Sequence, residues 1–314
     1  MKKVKVGLIG FGSVGERHYN NLLNLKCSVA ILTKRKDIKN NNIVHEYKCF
    51  LSHEPYDLII VSNETYLHFE TIMKVVNLKP KVIFVEKPLA LNLSEVKMIE
   101  EKVKKSKISL IVGYSRQFYK PYMEIKKFIL SKKLGQIYFL RISVGQHLST
   151  WRKRDYRKSY SGNKRLGGSL LFDLVHEINF PAWALEEKLH PLTAVLKKLS
   201  GLDIDSEDIA ESLFESERGS IVSIHQDFLR RPAGWSCQIL GSSGWLRWDS
   251  ESTKILVKTG VSFITKSVAD DWNNMFIREM RYVLKVLKNK KPINNIGEAY
   301  ADIRNILKIY EIAK

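Results

Sequence analysis

Cysteine is scarce in this chain of 314 residues, and the three that it has, Cys27, Cys49 and Cys237, are scattered without the spacing of a zinc site. An odd number of distant cysteines indicates neither a disulfide framework nor a metal centre, and it suits a reducing cytosol. The sequence also lacks any apolar run near the roughly 18 residues that a membrane-spanning helix needs. We therefore predict a cytoplasmic protein with no bound metal and no membrane association.

Acidic residues are also few: 33 Asp and Glu stand against 52 Lys and Arg, which gives a net charge of +19. The basic residues are spread along the chain in pairs such as Lys104-Lys105 and Lys132-Lys133, and no nucleic-acid-binding module accompanies them. The charge therefore indicates a solvated, lysine-rich surface or a field that attracts anionic ligands such as nucleotides. We expect no nucleic-acid partner, and steeply salt-dependent binding without sequence preference would contradict this.

The N-terminal stretch MKKVKVGLIGFGSVGERH suits either a secretory signal or a phosphate-binding loop. Lys5 and three glycines interrupt its apolar run, and no small-residue cleavage pattern follows, which disfavours a signal. A strand-length run ends at Ile9, a helical stripe begins at Val14, and between them lies a G-x-G-x-x-G motif of Gly10, Phe11, Gly12, Ser13, Val14 and Gly15. Either the glycines serve packing alone, or they admit the pyrophosphate of a dinucleotide at the helix start, which this frame favours.

The first third of the chain alternates strands and helices. Its strands, such as Ser28–Leu32, Asp57–Ser62 and Val82–Val85, are almost continuously apolar, which predicts a doubly wound parallel sheet of Rossmann type over residues 1–118. After about Tyr119, several strands follow one another without helices between them, which predicts an α+β domain over 119–314 with a large, open, mostly antiparallel sheet. Because such a sheet commonly buries one face against a partner, we expect a homo-oligomer formed through it.

The end of the second strand carries no acidic residue to hold the ribose 2′-hydroxyl of NAD. Instead it reads Thr33-Lys34-Arg35, a hydroxyl followed by two cations. Cations suit the 2′-phosphate of NADP(H), although Lys34-Arg35 can equally be one more surface pair. The sequence therefore favours NADP(H) and leaves NAD(H) possible.

A lysine follows the strand Val82–Val85, in Glu86-Lys87-Pro88. At a strand end near a bound nicotinamide, the Lys87 ammonium can stabilise an oxyanion or transfer a proton. The alternative is an ordinary turn fixed by Pro88.

A third segment, Gly167 to Asn179, predicts one long helix over Gly168–Leu185 on which Asp173 and His176 share a face. Asp173 can then orient His176 as a general base. The alternative is a polar helix face without a catalytic role.

Together these motifs resemble the glucose–fructose oxidoreductase / inositol dehydrogenase / MocA family over nearly the whole chain. Further matches are Ser62…His68, Gly113-Tyr114 and Asn274-Met275-Phe276. The resemblance implies an NAD(P)-dependent dehydrogenase acting on a sugar, cyclitol or related hydroxyl. It implies Lys87 as active-site lysine, His176 as acid/base with Asp173 as its partner, His68 near the nicotinamide ribose, and Ser62 and Glu86 among the cofactor contacts.

The chain departs from the family pattern at several positions. Asp173 and His176 are separated by two residues, whereas three are common; Asn179, a predicted substrate contact, stands where an Asp is common, and Gln117 where an Arg is frequent. Asn63-Glu64-Thr65 replaces the usual proline-containing turn.

The segment before the two glycines is the best candidate for substrate specificity, and it resembles members from bacterial surface-polysaccharide pathways. Trp151 and Tyr160 suit a sugar ring, and Arg152 suits a phosphate or carboxylate, unless this is an ordinary polar loop. The sequence thus predicts an oxidoreductase for a sugar derivative, nucleotide-linked or acidic. The alternative is a catalytically silent, dinucleotide-binding regulator.

Overall fold

The computed structural model describes residues 3–38, 42–151, 155–158, 160–289 and 291–313. The strands are β1 (Lys5–Ile9), β2 (Ser28–Leu32), β3 (Ile43–Val44), β4 (Leu58–Val61), β5 (Val82–Glu86), β6 (Ser109–Gly113), β7 (Ile137–Gly145), β8 (Leu189–Lys197), β9 (Ile209–Ser216), β10 (Ile221–Asp227), β11 (Gly234–Gly241), β12 (Gly244–Asp249), β13 (Lys254–Thr259) and β14 (Ser262–Ser267). The helices are α1 (Ser13–Asn24), α2 (Tyr47–Leu51), α3 (His68–Val75), α4 (Leu93–Ser106), α5 (Lys120–Leu130), α6 (Leu148–Trp151), α7 (Leu170–Asp173), α8 (Val175–Leu185), α9 (Trp272–Val286) and α10 (Ile296–Ile312).

The first of two compact units comprises residues 3–115 and Asn273–Ile303. Its six strands are all parallel, in the order β3-β2-β1-β4-β5-β6. The apolar faces of these strands pack against α1 and α9 in a core that includes Leu8, Leu22, Phe84 and Met280. This confirms the predicted Rossmann sheet, in which near-continuous apolar strands are buried on both faces.

The segment Asn273–Ile303 belongs to this first unit, whereas the sequence placed it in a continuous second domain of residues 119–314. Apolar residues of α9, such as Val283, pack into the core. At the edge strand β6, the Asn295 side chain accepts from Val112 N at 2.8 Å and donates to Val112 O at 3.2 Å. The segment thus satisfies backbone groups that the edge of the sheet would otherwise leave unpaired.

The second unit comprises Arg116–Trp272 and residues 304–313. Its eight strands run in the order β14-β13-β12-β11-β7-β10-β9-β8, and only the β7–β10 pair is parallel. Helix α8 packs against β7 and β10 on one face. The predicted large, mostly antiparallel sheet is therefore confirmed; β14, which the sequence analysis did not predict, adds an exposed edge strand.

The predicted single helix over Gly168–Leu185 is wrong, because the chain breaks at Leu174 (φ −101°, ψ 30°) between α7 and α8. The buried Gln226 amide of β10 donates to the Leu174 carbonyl across 2.7 Å, and the Ser169 hydroxyl accepts from Phe172 N at the start of α7. Asp173 and His176 therefore lie on two successive helices rather than on one.

Candidate functional site

The three glycines of the G-x-G-x-x-G motif differ in what surrounds them. Gly10 has φ +92°, and a Cβ there would collide with Asn63 N and lie 2.6 Å from the Ser62 carbonyl oxygen. A Cβ at Gly15 would collide with the Gly10 carbonyl. Around Gly12, by contrast, no atom lies within 4 Å of an added Cβ. Gly10 and Gly15 are thus required by the fold itself, whereas the space at Gly12 is open.

The open space at Gly12 adjoins the start of α1, for which Gly12 is the N-cap. The first N–H groups of a helix have no partner within it, and its dipole favours an anion there. Ser13 is exposed and Val14 half-buried beside this end, while the Phe11 ring packs edge-on against Tyr19 with centroids 5.7 Å apart. The loop therefore fits a pyrophosphate, held by backbone rather than by the Phe11 ring.

Two other predicted cofactor contacts, Ser62 and His68, make hydrogen bonds to backbone carbonyls of the first unit. The Ser62 hydroxyl contacts the Gly10 carbonyl oxygen across 3.0 Å. His68 is 1% exposed; its Nδ1 donates to the Pro88 carbonyl at 2.8 Å, and its Nε2 lies 3.1 Å from the Asn63 carbonyl oxygen. Burial lowers the pKa of His68, which favours the neutral ring. The structure thus places His68 as a buried support for the Lys87-Pro88 turn, because both ring nitrogens contact backbone carbonyls.

The cations predicted to select NADP(H) follow β2. Thr33 is buried and its hydroxyl accepts from Arg35 N at 3.2 Å, while Lys34 is exposed. The Arg35 guanidinium donates to the Phe11 carbonyl at 2.9 Å, which places it beside the glycine loop. Asp37 accepts from two other Arg35 nitrogens, at 3.1 and 2.6 Å, and this pairing raises the pKa of Arg35. Sequence analysis missed Asp37, whose carboxylate pairs with the guanidinium that was predicted to bind the 2′-phosphate.

Glu86 is the last residue of β5 and Lys87 follows it, and both are partly buried. Glu86 Oε1 accepts from Nε2 of His18 at 2.6 Å, and His18 is 0% exposed. Sequence analysis also missed His18. Its signal was a polar residue on the apolar stripe of α1, three residues after Gly15.

The remaining predicted residues lie in the second unit. Asp173 ends α7 and is buried, and His176, the second residue of α8, is half-buried. Asn179 is 3% exposed, and its Oδ1 accepts from Gln117 Nε2 at 2.9 Å. The two departures from the family pattern at 117 and 179 are therefore one feature: a neutral amide pair stands where an arginine and an aspartate are common.

The predicted sugar-contacting segment is half-buried at its two aromatic residues. The Trp151 ring packs against the buried Phe228 with centroids 5.4 Å apart. The Tyr160 backbone carbonyl lies so close to Gly168 that any Cβ there would collide with it. Arg152 lies outside the described residues. Among those that are described, no group of three or more His, Cys, Asp or Glu side chains could hold a metal, and no helix has the length and apolarity to cross a membrane.

Comparison with known protein families gives two matches along the chain. Residues 4–114 match an oxidoreductase family with an NAD-binding Rossmann fold, and residues 122–247 match the GFO/IDH/MocA C-terminal domain. The chain belongs to the Gfo/Idh/MocA family.

Similar family members include two curated enzymes. Myo-inositol 2-dehydrogenase of Thermotoga maritima is 26% identical over 205 residues, which are 61% of this chain and 58% of that protein. Inositol 2-dehydrogenase of Salmonella typhimurium is 20% identical over 289 residues, 87% of this chain and 82% of that protein. Among solved structures, levoglucosan dehydrogenase in complex with NADH and levoglucosan has a TM-score of 0.86 at 18% identity, covering 99% of this chain and 97% of that one. This last likeness concerns the fold.

Proposed function

We propose that this protein is an NAD(P)-dependent oxidoreductase that oxidises or reduces a carbinol carbon of a sugar or sugar derivative. The observation that carries the proposal is the open space at Gly12, at the start of α1 in a parallel Rossmann sheet. Membership of the Gfo/Idh/MocA family supports it, since similar members are named for inositol.

Three side chains are the proposed catalytic residues. A dinucleotide held at the Gly12 loop would supply the hydride acceptor or donor for the carbinol carbon. In the oxidation direction, His176 takes the hydroxyl proton as the C=O bond forms, and Asp173 stabilises the resulting imidazolium. Lys87, at the end of a parallel strand, is the proposed active-site lysine, whose ammonium can stabilise a developing oxyanion.

Variants at Lys87 and His176 test these roles. We expect Lys87→Met and His176→Ala each to lower kcat by about 10²- to 10⁴-fold, the usual contribution of a positioned acid or base, with dinucleotide binding retained. Lys105→Met, an exposed position on α4, is the matched control. Near-normal kcat in both variants would refute the assigned roles, and dinucleotide binding without turnover of any polyol or sugar would support a silent regulator.

NADP(H) is the proposed dinucleotide, with NAD(H) as the alternative. Arg35 supports this because its guanidinium already lies beside the glycine loop, with Lys34 next to it. A 2′-phosphate has to share or displace Asp37, which pairs with the same guanidinium.

Nicotinamide fluorescence titration with NADPH and NADH tests the choice. We expect Arg35→Ala to abolish a preference for NADPH and Asp37→Ala to strengthen it, because the guanidinium then has no competing carboxylate. If the wild type prefers NADH, and Arg35→Ala does not change that preference, then Lys34 and Arg35 are ordinary surface charges. Failure of both dinucleotides to bind would refute the proposed function itself.

The substrate is proposed to be a sugar derivative, nucleotide-linked or acidic, of the kind used in surface-polysaccharide synthesis. Trp151 and Tyr160 would contact the sugar ring, with Asn179 held by Gln117. A screen of polyols, uronic acids and nucleotide sugars with NADP⁺ and NAD⁺ tests this; turnover of plain inositol alone would contradict the acidic or nucleotide-linked class.

A homo-oligomer through the second unit's sheet is also proposed. On the face of that sheet opposite the buried strand residues, four apolar side chains are exposed: Val195 (46%), Leu213 (38%), Leu240 (50%) and Phe263 (59%). Such exposed apolar area is typical of a contact surface. Light scattering should show an oligomer that Leu240→Glu dissociates, whereas Met98→Glu, equally exposed in the first unit, leaves it intact.

A further inference from the structure

A buried group of side chains in the first unit surrounds the end of β5. His18 projects from α1, is 0% exposed, and its Nε2 donates to Glu86 Oε1 across 2.6 Å. The His18 ring also packs edge-on against Phe84 and Phe276, with centroids 5.2 and 6.1 Å away. A ring enclosed on these sides keeps one orientation, so its hydrogen bond fixes the Glu86 carboxylate.

A second buried carboxyl group, Glu279 of α9, lies near Glu86. It is 1% exposed, and within the described part of the chain neither of its carboxyl oxygens has a hydrogen-bond partner. Burial, and then the nearby Glu86, raise the pKa of Glu279 well above its ordinary value of 4.5. Burial therefore favours the protonated form of Glu279, the carboxyl group that lies near Glu86 in this cluster.

The residues on either side of Lys87 are thus both held by buried histidines. Glu86 is bonded to His18 of α1, and the Pro88 carbonyl is bonded to His68 of α3. Glu86 also pairs with Gly113 in the β5–β6 ladder. Lys87 itself is partly buried between these two fixed neighbours.

We propose that His18 is a positioning residue for Lys87: its hydrogen bond to Glu86 couples the strand end that carries the lysine to the helix that begins at the phosphate-binding loop. His68 holds the other side of the same lysine through Pro88. This inference rests on the proposed function, in which Lys87 acts on the reacting oxygen. It explains why a polar ring occupies the apolar stripe of α1, where burial of an imidazole costs free energy unless it is hydrogen-bonded.

Variants of His18 that differ in reach test the inference. In His18→Gln the amide nitrogen occupies a position close to that of Nε2 and can donate to Glu86; in His18→Asn the amide is too short, and in His18→Leu no donor remains. We expect kcat to fall by roughly 10- to 100-fold in the Asn and Leu variants, as misplaced catalytic groups do. We expect most of the activity to return in the Gln variant, and the Kd of NADPH to change far less than kcat.

A second measurement is made without dinucleotide. The rate of Lys87 acetylation by acetic anhydride, read by mass spectrometry, should rise in the Asn and Leu variants because the lysine is no longer held partly buried. It should stay at the wild-type rate in the Gln variant and in Asn20→Leu, an exposed position on the same helix. If His18→Leu does not fold, the comparison of Asn with Gln decides.

Wild-type kcat and wild-type labelling in the Asn variant would overturn the inference, as would a Gln variant as slow as the Asn variant. A purely structural role predicts lower thermal stability with kcat per folded molecule unchanged. Because labelling uses ligand-free protein, its outcome stands even if the wild type proves inactive. Failure of the proposed function is therefore distinguishable from failure of this inference.

Discussion

Replacing Gly12 by alanine separates what the glycine loop does for the fold from what it does for a ligand. Gly12 has φ −78° and ψ −168°, which alanine adopts without strain, and a methyl group there would meet no protein atom within 4 Å. Restricting the unfolded chain stabilises by about 0.4–1 kcal/mol, whereas alanine is a poorer N-cap than glycine by a similar amount. The net change in the free energy of unfolding should therefore lie within about 0.5 kcal/mol.

The same methyl group occupies the space that a pyrophosphate needs to approach the backbone. Overpacking of a closely fitted contact costs about 1–3 kcal/mol, which corresponds to about 5- to 150-fold in affinity. We therefore expect Gly12→Ala to weaken NADPH binding by that factor in a fluorescence titration, with a urea unfolding curve that overlays the wild type.

Gly15→Ala is the contrasting variant. Its methyl group would collide with the Gly10 carbonyl and lie 2.9 Å from the Ser62 hydroxyl, so it should destabilise the fold by about 1–3 kcal/mol before any ligand is added. Gly12→Ala with unchanged affinity and unchanged stability would refute the assignment of this space to a phosphate. Loss of stability in Gly12→Ala would show instead that the glycine serves packing.

Three further variants probe buried or half-buried polar groups. Glu279→Gln should be more stable than the wild type at pH 7 and close to it near pH 4, as measured by urea unfolding. Because the pKa of Glu279 is raised, its contribution to wild-type stability is full below 4.5 and is lost, at up to about 1.4 kcal/mol per pH unit, as the pH rises through the folded-state pKa. The hydrogen bond to Asp227 raises the pKa of His225, so its contribution is present below 6.5 and lost as pH rises through the folded pKa; His225→Gln should cost under about 1 kcal/mol at pH 6 and nothing at pH 9. Gln226→Leu should cost about 1–3 kcal/mol in the same assay, because it leaves the Leu174 carbonyl without its amide donor.

The parts of the fold that depend on residues adjacent in the sequence were predictable from it. Short apolar runs indicate the parallel strands, and α4 begins at a local cap, since Asn92 Oδ1 accepts from Glu95 N at 2.9 Å. The break at Leu174 was not predictable, because the amide that satisfies its carbonyl comes from Gln226, 52 residues away. The packing of Asn273–Ile303 on the first unit likewise depends on Asn295, which is 183 residues from the strand that it completes.

The residues of the candidate site likewise fall into those predictable from local sequence and those that depend on distant contacts. The tight turn at Gly10 and the open space at Gly12 are predictable, because both follow from the order of residues within one loop. A histidine or an arginine carries no such information, because its role depends on which carbonyl or carboxylate the fold places beside it. His68 contacts two backbone carbonyls, and Arg35 pairs with Asp37, a partner that the sequence analysis did not identify. Gln117 and Asn179 also depend on which residues the fold brings together. Each alone is a departure from the family pattern, yet their hydrogen bond shows that a neutral pair replaces a charged one. Departures of this kind acquire a physical meaning only when the two positions are compared together.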